Sequence, residues 1–359
     1  MIKPKKILII IQRSNGDVFL SLSLIKAIHN HYEAVQLDLL INEDTLAIAD
    51  LFPYINSIHT FSYIKKQKRR FHQEKNLFFK LFKKYDLSIN LTASDRSVIY
   101  AILFGKKSIS AIEQNKNKSW WKKLLLSNSY FFDDSKHILL NNLQPLAFLN
   151  IGFENVQEKL IFEASQVKKL KEKLKIQHFE KFLIFHPTAQ YEYKIYPKKS
   201  RDKLLHLLNT LEIPVIVTGG KSPLDLKVKD EIPNLSNIKN QIGNTSLTDF
   251  FILSELSMGY IGMDTLNMHI AASQNKRIFA ICGPTNLAMW SPWSNDLKDS
   301  TKINKPIQTY GKNTIFQANM PCVACGNAGC DDKKGRSECL YLISPETIFN
   351  EINNWFSNV

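Results

Sequence analysis

Short apolar runs alternate with longer segments of mixed polarity along the chain. Residues 5–11 (KKILIII), 35–41 (VQLDLLI) and 85–91 (YDLSINL) are rich in aliphatic residues and have the length of buried strands. Residues 18–32, which follow the turn-like sequence Asn15-Gly16-Asp17, and residues 44–52 have the periodicity of helices. This alternation predicts a parallel sheet that is covered by helices.

The same alternation starts again in the second half of the chain. Strands are predicted at residues 182–187, 213–220, 257–264 and 277–284, and each of these runs ends in Gly, Pro or Asp. Such residues are common where the carboxyl end of a strand turns toward a ligand crevice. We therefore predict an α/β fold with two Rossmann-like, doubly wound domains, which cover residues 1–164 and 165–344. A C-terminal helix over residues 345–359 is expected to pack back toward the first domain.

The composition narrows the class of protein. A chain of 359 residues with 44% hydrophobic and 22% charged residues is an ordinary globular chain with room for about two domains, which excludes disorder and a small disulfide scaffold. No stretch reaches the roughly 18 consecutive apolar residues of a membrane helix. The basic N-terminus lacks a small-residue cleavage site, so we interpret its short apolar run as the first strand and not as a signal peptide.

The net charge points to anionic partners. Lys and Arg number 47 against 33 Asp and Glu, which gives a formal charge of +14. Nucleic acid, phosphorylated small molecules and an anionic lipid surface all suit this charge. The chain contains no recognised nucleic-acid-binding motif, and we expect no nucleic-acid partner.

A carboxylate follows the first predicted strand. Gly16 permits close approach of a ligand or a positive-φ turn, and Asp17 stands at the mouth of the strand just before a helix. Asp17 could act as a general base, or it could be the N-cap of the helix. Both interpretations remain open on the residues alone.

Groups suited to phosphate follow the strands of the second half. Thr188 offers a hydroxyl and Lys194 a movable positive charge, although a solvated loop would look the same. Residues 262–272 (GMDTLNMHIAA) join a strand to a helix, and helix N-termini attract anions. His269, one helical turn along, could bind a ligand or could simply pack in the core. These loops suggest a site for a nucleotide or a nucleotide sugar.

The ordered set of motifs resembles a known family. The segments GDV, HPT with the later lysine, TGG, IGNTSL, GMDTLNMHIAA and CGPTNLAMWSPW are similar to those of the bacterial lipopolysaccharide core heptosyltransferases, glycosyltransferase family 9. The resemblance extends from about residue 5 to the C-terminal helix and implies the GT-B fold, in which two Rossmann-like domains face a central cleft. Residues 85–99, 117–123 and 291–296 look most like the members that add the third, side-branch heptose.

The resemblance implies an inverting transfer of L-glycero-D-manno-heptose from ADP-heptose to a heptose of the inner core on a lipid A-core acceptor. Asp17 matches the carboxylate that takes the acceptor proton, and Lys194 matches the lysine that neutralises the departing diphosphate. The positions implied to contact the donor are Gly16, Thr188, Asp225, Asp264, Thr265, Leu266, Asn267 and His269.

Such a displacement needs a base and a stabilised leaving group, and a cationic pocket can replace a metal in the second role. The chain has no Asp-x-Asp sequence to hold a cation on a diphosphate, so we predict chemistry that needs neither metal nor cofactor. Two alternatives stay open. The protein could be a family 9 transferase for another core position or another sugar, or a non-catalytic protein that binds a nucleotide sugar or the core.

Two basic segments of the first half mix cations with aromatic residues. They are residues 63–84 (YIKKQKRRFHQEKNLFFKLFKK) and 116–123 (KNKSWWKK). Such segments can bind anionic lipid headgroups, which a membrane-bound acceptor would require. The resemblance therefore implies a cytoplasmic protein that is peripheral at the anionic surface of the inner membrane. Alternatively, Phe78, Phe79, Leu81 and Phe82 belong to the core and the lysines form a solvated face.

Four of the five cysteines fall close together near the C-terminus. Their spacing is Cys322-x2-Cys325-x4-Cys330-x8-Cys339, while Cys282 lies in a predicted strand. The four could bind a structural Zn²⁺, remain unligated thiols or form disulfides, and a reducing cytoplasm favours metal over disulfides. Any such site is expected to be structural and not part of the transfer chemistry.

Overall fold

The computed structural model describes residues 3–174 and 181–358, without the side chains of residues 64–70 and 116. The chain divides into two compact units, Met1–Glu158 and Lys159–Val359. We call them the N-terminal unit and the C-terminal unit. The charged sequence of residues 165–177 (SQVKKLKEKLKIQ) also predicts a helix. This helix is observed as Ala164–Leu174, and residues 175–177 lie outside the described residues.

The N-terminal unit alternates strands with helices. Its strands are β1 (Lys6–Ile11), β2 (Gln36–Asn42), β3 (Ser57–Phe61), β4 (Tyr85–Asn90), β5 (Gly105–Ile112) and β6 (Asn128–Phe131). Its helices are α1 (Asn15–Phe19), α2 (Leu22–His31), α3 (Leu46–Ala49), α4 (Tyr63–Leu81), α5 (Asp95–Phe104), α6 (Lys116–Leu125), α7 (Ile138–Leu143) and α8 (Pro145–Phe148).

All six strands of this unit are parallel, in the order β3-β2-β1-β4-β5-β6. Strand β1 lies in the middle and is buried from Ile7 to Ile11, as its unbroken aliphatic run predicts. The predicted strands at the positions of β1, β2 and β4 are confirmed. Because the strand order reverses between β1 and β4, polar residues that follow these strands lie at a switch point of the sheet, where α/β folds bind ligands.

The first helical segment differs from its prediction. A single helix was expected over residues 18–32, but the chain forms α1 and then α2, with the break at Leu20 and Ser21. Helix α1 begins earlier than expected, with Ser14 as its N-cap. Asp17 is therefore the third residue of the helix, and the interpretation of Asp17 as the N-cap is wrong.

A buried cation joins two helices of this unit to β5. Lys122 of α6 is fully buried, and its ammonium lies 2.6 Å from carboxylate oxygens of Glu113 and of Asp95. It also donates to the carbonyl of Ala93 at 3.2 Å. Since a buried ammonium requires compensating acceptors, these three groups explain how α6 tolerates a lysine on its inner face.

The C-terminal unit contains seven strands, β7 (Leu183–His186), β8 (Val215–Val217), β9 (Ile238–Asn240), β10 (Gly259–Met263), β11 (Arg277–Ile281), β12 (Ile307–Tyr310) and β13 (Asn313–Phe316). The helices are α9 (Ala164–Leu174), α10 (Lys198–Leu208), α11 (Pro223–Glu231), α12 (Leu247–Leu256), α13 (Leu266–Ser273), α14 (Leu287–Trp290), α15 (Glu338–Tyr341) and α16 (Pro345–Phe356).

The second sheet has the order β12-β13-β11-β10-β7-β8-β9. Its strands are parallel except for β12, which runs antiparallel to β13. The four strands predicted in this half are observed as β7, β8, β10 and β11. Strands β7 and β10 are direct neighbours, so the loops that follow His186 and Met263 lie beside each other at one edge of the sheet.

The C-terminal helix is observed where it was predicted. The Ser344 hydroxyl accepts the backbone N–H of Thr347, and Pro345 occupies the first helical position, and both features favour a helix start. Ile348 and Ile352 are fully buried in the core of the C-terminal unit, and the helix packs against α10 of the same unit.

The basic helix α4 has its aromatic residues at the surface. Leu77 and Leu81 are buried, one turn apart, whereas Phe78, Phe79 and Phe82 are 36%, 68% and 47% exposed. The interpretation of these three phenylalanines as core residues is therefore wrong, and it is correct for Leu81. Over the described residues, none of the helices has both the length and the apolar character needed to cross a bilayer.

Candidate active site

Asp17 follows the central strand of the N-terminal sheet and is buried. Its Oδ2 accepts hydrogen bonds from the backbone N–H of Ser14 at 3.1 Å and from the Ser14 hydroxyl at 2.6 Å. Its Oδ1 lies 2.6 Å from Nε of Arg13. Two hydrogen bonds from Ser14 thus fix Oδ2, and the Arg13 charge faces Oδ1. Gly16 lies buried beside the carboxylate in the same helical turn.

Burial raises the pKa of Asp17 above its ordinary value, against the opposing effects of the Arg13 charge and the Ser14 hydrogen bonds. A carboxylate with a raised pKa is a stronger proton acceptor than one in water. This environment is what a general base requires. The same side chain also supports the start of α1, so the structural role and the chemical role coexist in Asp17.

Arg13 is a site residue that the sequence reasoning missed. It stands four residues before Asp17, it is partly exposed, and its guanidinium lies 4.7 Å from the centroid of the Phe132 ring. Oppositely charged residues at this spacing often pair near a helix start, which is the signal that could have identified it. Its charge offsets part of the cost of burying the Asp17 carboxylate.

A second cluster lies in the C-terminal unit, where the loops after three strands meet. Nζ of Lys194 lies 3.0 Å from Oδ2 of Asp264 and 3.2 Å from the hydroxyl of Thr285. The Thr285 hydroxyl also donates to Oδ2 of Asp264. The structure therefore brings together two predicted site residues, Lys194 and Asp264. It also places Thr285 with them, a residue after β11 for which the sequence analysis predicted no role.

The charge of Asp264 raises the pKa of Lys194, an effect that burial of the lysine partly opposes. Lys194 is about one quarter exposed at its side chain while Asp264 is almost fully buried. The pair therefore presents a fixed ammonium at the surface and keeps its carboxylate beneath. Such a cation suits an oxyanion that approaches from solvent.

Thr188 belongs to a neighbouring polar cluster centred on His186, at the end of β7. The Thr188 hydroxyl lies 3.5 Å from Nε2 of His186, and Nδ1 of the same ring lies 3.0 Å from the Thr218 hydroxyl and 3.4 Å from the Asn267 amide nitrogen. Burial lowers the pKa of His186 to about 4. His186 is therefore neutral near pH 7, and it connects the loops after β7, β8 and β10.

The predicted helix start at residues 264–267 is observed. Thr265 is the N-cap of α13, and Leu266 and Asn267 are its first two residues, all three partly exposed. Free backbone N–H groups therefore point from this turn toward solvent at the sheet edge. An anion can bind at this turn through those N–H groups.

His269 lies one turn further along α13 and is buried. Its ring is 6.0 Å from the Trp290 ring, centroid to centroid, and burial together with the nearby Lys194 charge lowers its pKa to about 3. A neutral, enclosed imidazole supports the helix from within. The packing interpretation left open by the sequence accounts for this geometry.

Asp225 has a local structural role. Its Oδ2 accepts from the backbone N–H of Ser222 at 3.0 Å and from the Ser222 hydroxyl at 2.6 Å, which forms a capping box at the start of α11. A Cβ on Gly220 would lie 2.8 Å from the same oxygen, so a side chain at that position would displace the carboxylate. Asp225 still lies at the sheet edge, since its charge acts on His186.

The four clustered cysteines are free thiols in the structure. Cys322, Cys325 and Cys330 are exposed and Cys339 is buried. Over residues 3–174 and 181–358, no three His, Cys, Asp or Glu side chains are arranged to hold a metal ion. The zinc site stays a prediction.

Comparison with known proteins decides the family. The sequence model described as glycosyltransferase family 9 (heptosyltransferase) matches residues 76–318, which is more than half of the chain. This chain belongs to glycosyltransferase family 9. It is therefore a glycosyltransferase, and the family suggested by its motifs is confirmed.

Individual family members are only distantly similar in sequence to this chain. The lipopolysaccharide heptosyltransferase 3 of Escherichia coli is 24% identical over 296 residues, which cover 79% of this chain and 85% of that relative. E. coli ADP-heptose lipopolysaccharide heptosyltransferase II superposes with a TM-score of 0.70 at 17% identity, over 97% of this chain and 98% of the other. A structure of E. coli heptosyltransferase WaaC with ADP gives the same TM-score at 14% identity, over 97% and 99%. These similarities confirm the predicted GT-B fold class.

Proposed function

We propose that this family 9 protein transfers L-glycero-D-manno-heptose from ADP-heptose to a heptose of the lipopolysaccharide inner core, with inversion at the anomeric carbon. The observation that carries this proposal is a buried Asp17 carboxylate of raised pKa at the switch point of the N-terminal sheet. The names of its relatives support the sugar and the donor, since they include heptosyltransferase 3 and an ADP-heptose heptosyltransferase.

Asp17 is the proposed base. The acceptor hydroxyl oxygen forms a bond to the anomeric carbon, the bond from that carbon to the ADP oxygen breaks, and the hydroxyl proton goes to Asp17. A raised pKa favours this proton transfer, while Arg13 and Ser14 keep the carboxylate ionised and oriented. Because one displacement inverts the configuration, no covalent sugar intermediate is required.

Lys194 is the proposed cation for the leaving diphosphate. Negative charge grows on the ADP oxygen as the glycosidic bond breaks, and an ammonium held at a fixed point stabilises that charge in the transition state. Asp264 and Thr285 hold Lys194 in this position. The partly exposed turn Thr265-Leu266-Asn267 adds backbone N–H donors, and Thr188, Gly16, Asp225 and His269 are the further positions proposed around the donor.

We propose that the transfer needs no metal ion and no cofactor. Metal-dependent sugar transferases often hold a divalent cation on the diphosphate through Asp-x-Asp, which this sequence lacks. The charge of Lys194 can fill that role. The zinc ion proposed for Cys322, Cys325, Cys330 and Cys339 is structural and stands apart from the reaction.

The acceptor is proposed to be a lipid A-core molecule, reached at the cytoplasmic face of the inner membrane. Helices α4 and α5 share one buried cluster, and Trp121 of α6 packs against a second cluster that contains Val98 of α5. Exposed apolar side chains occur along all three: Phe71, Phe78, Phe79, Phe82, Ile99, Trp120, Leu124 and Leu125. Lysines are interspersed, which is the composition of a surface that binds anionic lipid headgroups.

Transfer to defined acceptors tests the proposal. Purified protein is incubated with ADP-heptose and core acceptors truncated at successive heptoses, with EDTA in a parallel series. Product on the two-heptose acceptor alone, unaffected by EDTA, is the expected result, since the segments that resemble third-heptose transferases predict that step. Transfer to a different acceptor would assign the protein to another step of core synthesis within the family. If no acceptor is glycosylated, the proposed reaction is contradicted.

The Asp17→Asn variant tests the base. Donor binding should persist while turnover falls about 10²–10⁴-fold, the usual contribution of a general base. Asp249→Asn is the matched control, because Asp249 accepts from the backbone N–H of Ser246 at the start of α12 as Asp17 does from Ser14. Unchanged turnover in Asp17→Asn would remove Asp17 from the chemistry.

A further inference from the structure

His186 stands at the end of β7 and joins three loops of the C-terminal unit. Its Nδ1 lies 3.0 Å from the hydroxyl of Thr218, after β8, and 3.4 Å from the amide nitrogen of Asn267, in α13. Its Nε2 lies 3.5 Å from the hydroxyl of Thr188. The mechanism proposed above places Thr188 and Asn267 around the donor but gives His186 no role.

The imidazole ring is fixed by its surroundings. It is buried, and its centroid lies 5.8 Å from that of the Phe250 ring and 6.4 Å from that of the Tyr260 ring. The main chain is equally restricted, because a Cβ on Gly262 of the neighbouring strand would lie 2.5 Å from the carbonyl oxygen of His186. Each ring nitrogen therefore keeps one set of partners.

The partners of Nδ1 determine which ring nitrogen carries the proton. Burial lowers the pKa of His186 to about 4, so the ring is neutral near pH 7 and has a single N–H. The amide nitrogen of Asn267 can only donate a hydrogen bond, and the Thr218 hydroxyl is able to donate as well. Nδ1 is therefore an acceptor, and the ring proton lies on Nε2, where it faces the Thr188 hydroxyl.

The same contact orients the amide group of Asn267. Because the amide nitrogen faces His186, the amide oxygen Oδ1 lies on the side away from the ring. Asn267 is partly exposed, and among the residues that the structure describes no donor forms a hydrogen bond with its Oδ1. An amide oxygen accepts hydrogen bonds and repels the oxygens of a phosphate, so it suits a ligand group that donates.

The place of Asn267 narrows the kind of ligand group. The backbone N–H groups of residues 265–267 suit a diphosphate, and Asn267 belongs to the same turn. In a nucleotide sugar, the hydrogen-bond donors nearest to the diphosphate are hydroxyls of the ribose and of the transferred sugar. The turn thus offers donors for phosphate and, beside them, one acceptor for a hydroxyl.

We propose that His186 is a positioning residue of the donor site: as its Nε2–H tautomer it holds the Asn267 amide so that Oδ1 accepts a hydroxyl of the bound nucleotide sugar. This inference rests on the proposed function, which supplies the nucleotide sugar. The imidazole acts through Asn267 and exchanges no proton with the substrate.

Nitrogen NMR tests the tautomer on wild-type protein. The chain contains nine histidines, and the signals of His186 are those that are absent from the spectrum of His186→Gln. With ¹⁵N-labelled histidine, we expect a protonated Nε2 and an unprotonated Nδ1 for this ring at pH 7. A ring with its proton on Nδ1 overturns the proposal, because that ring could not accept from Asn267.

Binding of ADP-heptose tests the action through Asn267. Asn267→Ala removes the acceptor and should weaken binding about tenfold in calorimetry, the usual effect of one hydrogen bond. His186→Gln leaves no acceptor at the place of Nδ1; it should weaken binding by a similar factor, but not further once Asn267 is alanine. His186→Asn, which restores that acceptor, should bind like wild type. Asn244→Ala removes an exposed amide after β9 that contacts Gln241, and it is the control.

The same titrations separate the alternatives. If the effects of His186→Gln and Asn267→Ala add fully, His186 acts on the fold in general, and the positioning role is overturned. Titration with ADP identifies the hydroxyl, because a loss with both ligands assigns it to the ribose and a loss with ADP-heptose alone assigns it to the heptose.

Failure of this inference and failure of the proposed function give different results. Binding is measured without acceptor, so absence of sugar transfer would contradict the proposed reaction and leave the coupling of His186 to Asn267 standing. Intact transfer with unchanged donor binding in Asn267→Ala would overturn the inference alone.

Discussion

Lys194 and Asp264 form an ion pair that joins the loops after two neighbouring strands, with 3.0 Å between Nζ and Oδ2. Asp264 raises the pKa of Lys194, so the lysine remains protonated throughout the physiological range. A carboxylate that anchors the ammonium also reduces its net charge. In the proposed reaction we therefore expect the diphosphate to be attracted by the combination of Lys194 and the neighbouring backbone N–H groups, and not by an isolated cation.

Replacement of the ammonium should impair use of the donor. For Lys194→Met we expect kcat/KM for ADP-heptose to fall about 10²–10³-fold, the usual effect of removing one donor from a developing oxyanion. Steady-state kinetics at saturating acceptor measure it. Lys198→Met, at an exposed lysine that pairs with Asp202, is the control. A Lys194→Met enzyme with donor kinetics like those of the control would place the leaving group elsewhere.

Removal of Arg13 should move the acid limb of the pH profile. Arg13 opposes the rise in the pKa of Asp17, so Arg13→Gln should raise that pKa further. Because the proposed base must be ionised, the acid limb of kcat/KM should move to higher pH. Arg96→Gln is the control, because it removes a guanidinium from the same sheet edge. The guanidinium of Arg96 contacts Gln12 and not Asp17. If the two variants shift the acid limb equally, the shift is caused by the loss of positive charge in general and not by the loss of the Arg13–Asp17 ion pair.

The two buried histidines should make stability depend on pH. The pKa of His186 falls to about 4 and that of His269 to about 3 in the folded protein, below the ordinary value of 6.5. Above pH 6.5 both histidines are neutral in the folded and in the unfolded chain, so they do not lower the free energy of unfolding. As the pH falls from 6.5 toward the folded pKa, the unfolded chain binds protons that the folded chain does not, so the free energy of unfolding decreases.

Denaturant unfolding at pH 6 and pH 5 measures this effect. His186→Gln should reduce the loss of unfolding free energy between these two values by about 1 kcal/mol relative to wild type. His206→Gln, which removes an exposed histidine, is the control. A His186→Gln variant with the wild-type pH dependence would show that His186 titrates normally in the folded chain.

Lys122 should contribute to stability through its two carboxylate partners. Lys122→Met leaves Glu113 and Asp95 without their shared cation, although both are partly exposed and regain water. We therefore expect the free energy of unfolding to fall by about 2 kcal/mol, less than for a fully buried pair. Lys123→Met, at the exposed next position, should change it by less than about 0.5 kcal/mol. Equal effects of the two substitutions would contradict a special role for the buried ammonium.

The exposed apolar residues of α4 and α6 should bind lipid. A Phe79→Ser/Trp120→Ser/Leu124→Ser variant should lower binding to vesicles containing anionic phospholipid at least about tenfold, since each side chain is largely exposed and would lose its transfer into the bilayer interface. Flotation with anionic and with neutral vesicles measures this binding, and added salt should weaken binding to the anionic vesicles. Ile303→Ser, at a similarly exposed residue of the C-terminal unit, is the control.

The sequence predicted the central strands well because their apolar runs are unbroken. Strands such as β1 and β7 are buried along their length, and such runs are visible without any knowledge of the partners. Strand β5 (GKKSISAI) was missed, since two exposed lysines interrupt its start and serines reduce its hydrophobicity. Short edge strands such as β9 and β12 carry too few apolar residues to stand out.

The site was predicted as a set of residue types and not as a set of contacts. Lys194 and Asp264 were named separately, but their separation of 70 positions in the sequence hides their ion pair, and Thr285 joins it only because β10 and β11 are neighbours. The exposure of Phe78, Phe79 and Phe82 could have been read from the one-turn spacing of Leu77 and Leu81, which marks the opposite, buried face of α4.

Asp17, Asp225 and Asp249 share one local design: each carboxylate accepts the backbone N–H of a serine three residues earlier at the start of a helix. What separates Asp17 from the other two is only its enclosure and its arginine neighbour. Each of the three carboxylates supports the start of a helix, and burial raises the pKa of Asp17, which makes this one a candidate proton acceptor as well. Under the proposed function, Asp17→Asn separates the two roles of this side chain, because the amide oxygen can still accept the Ser14 N–H while the proton acceptor is lost.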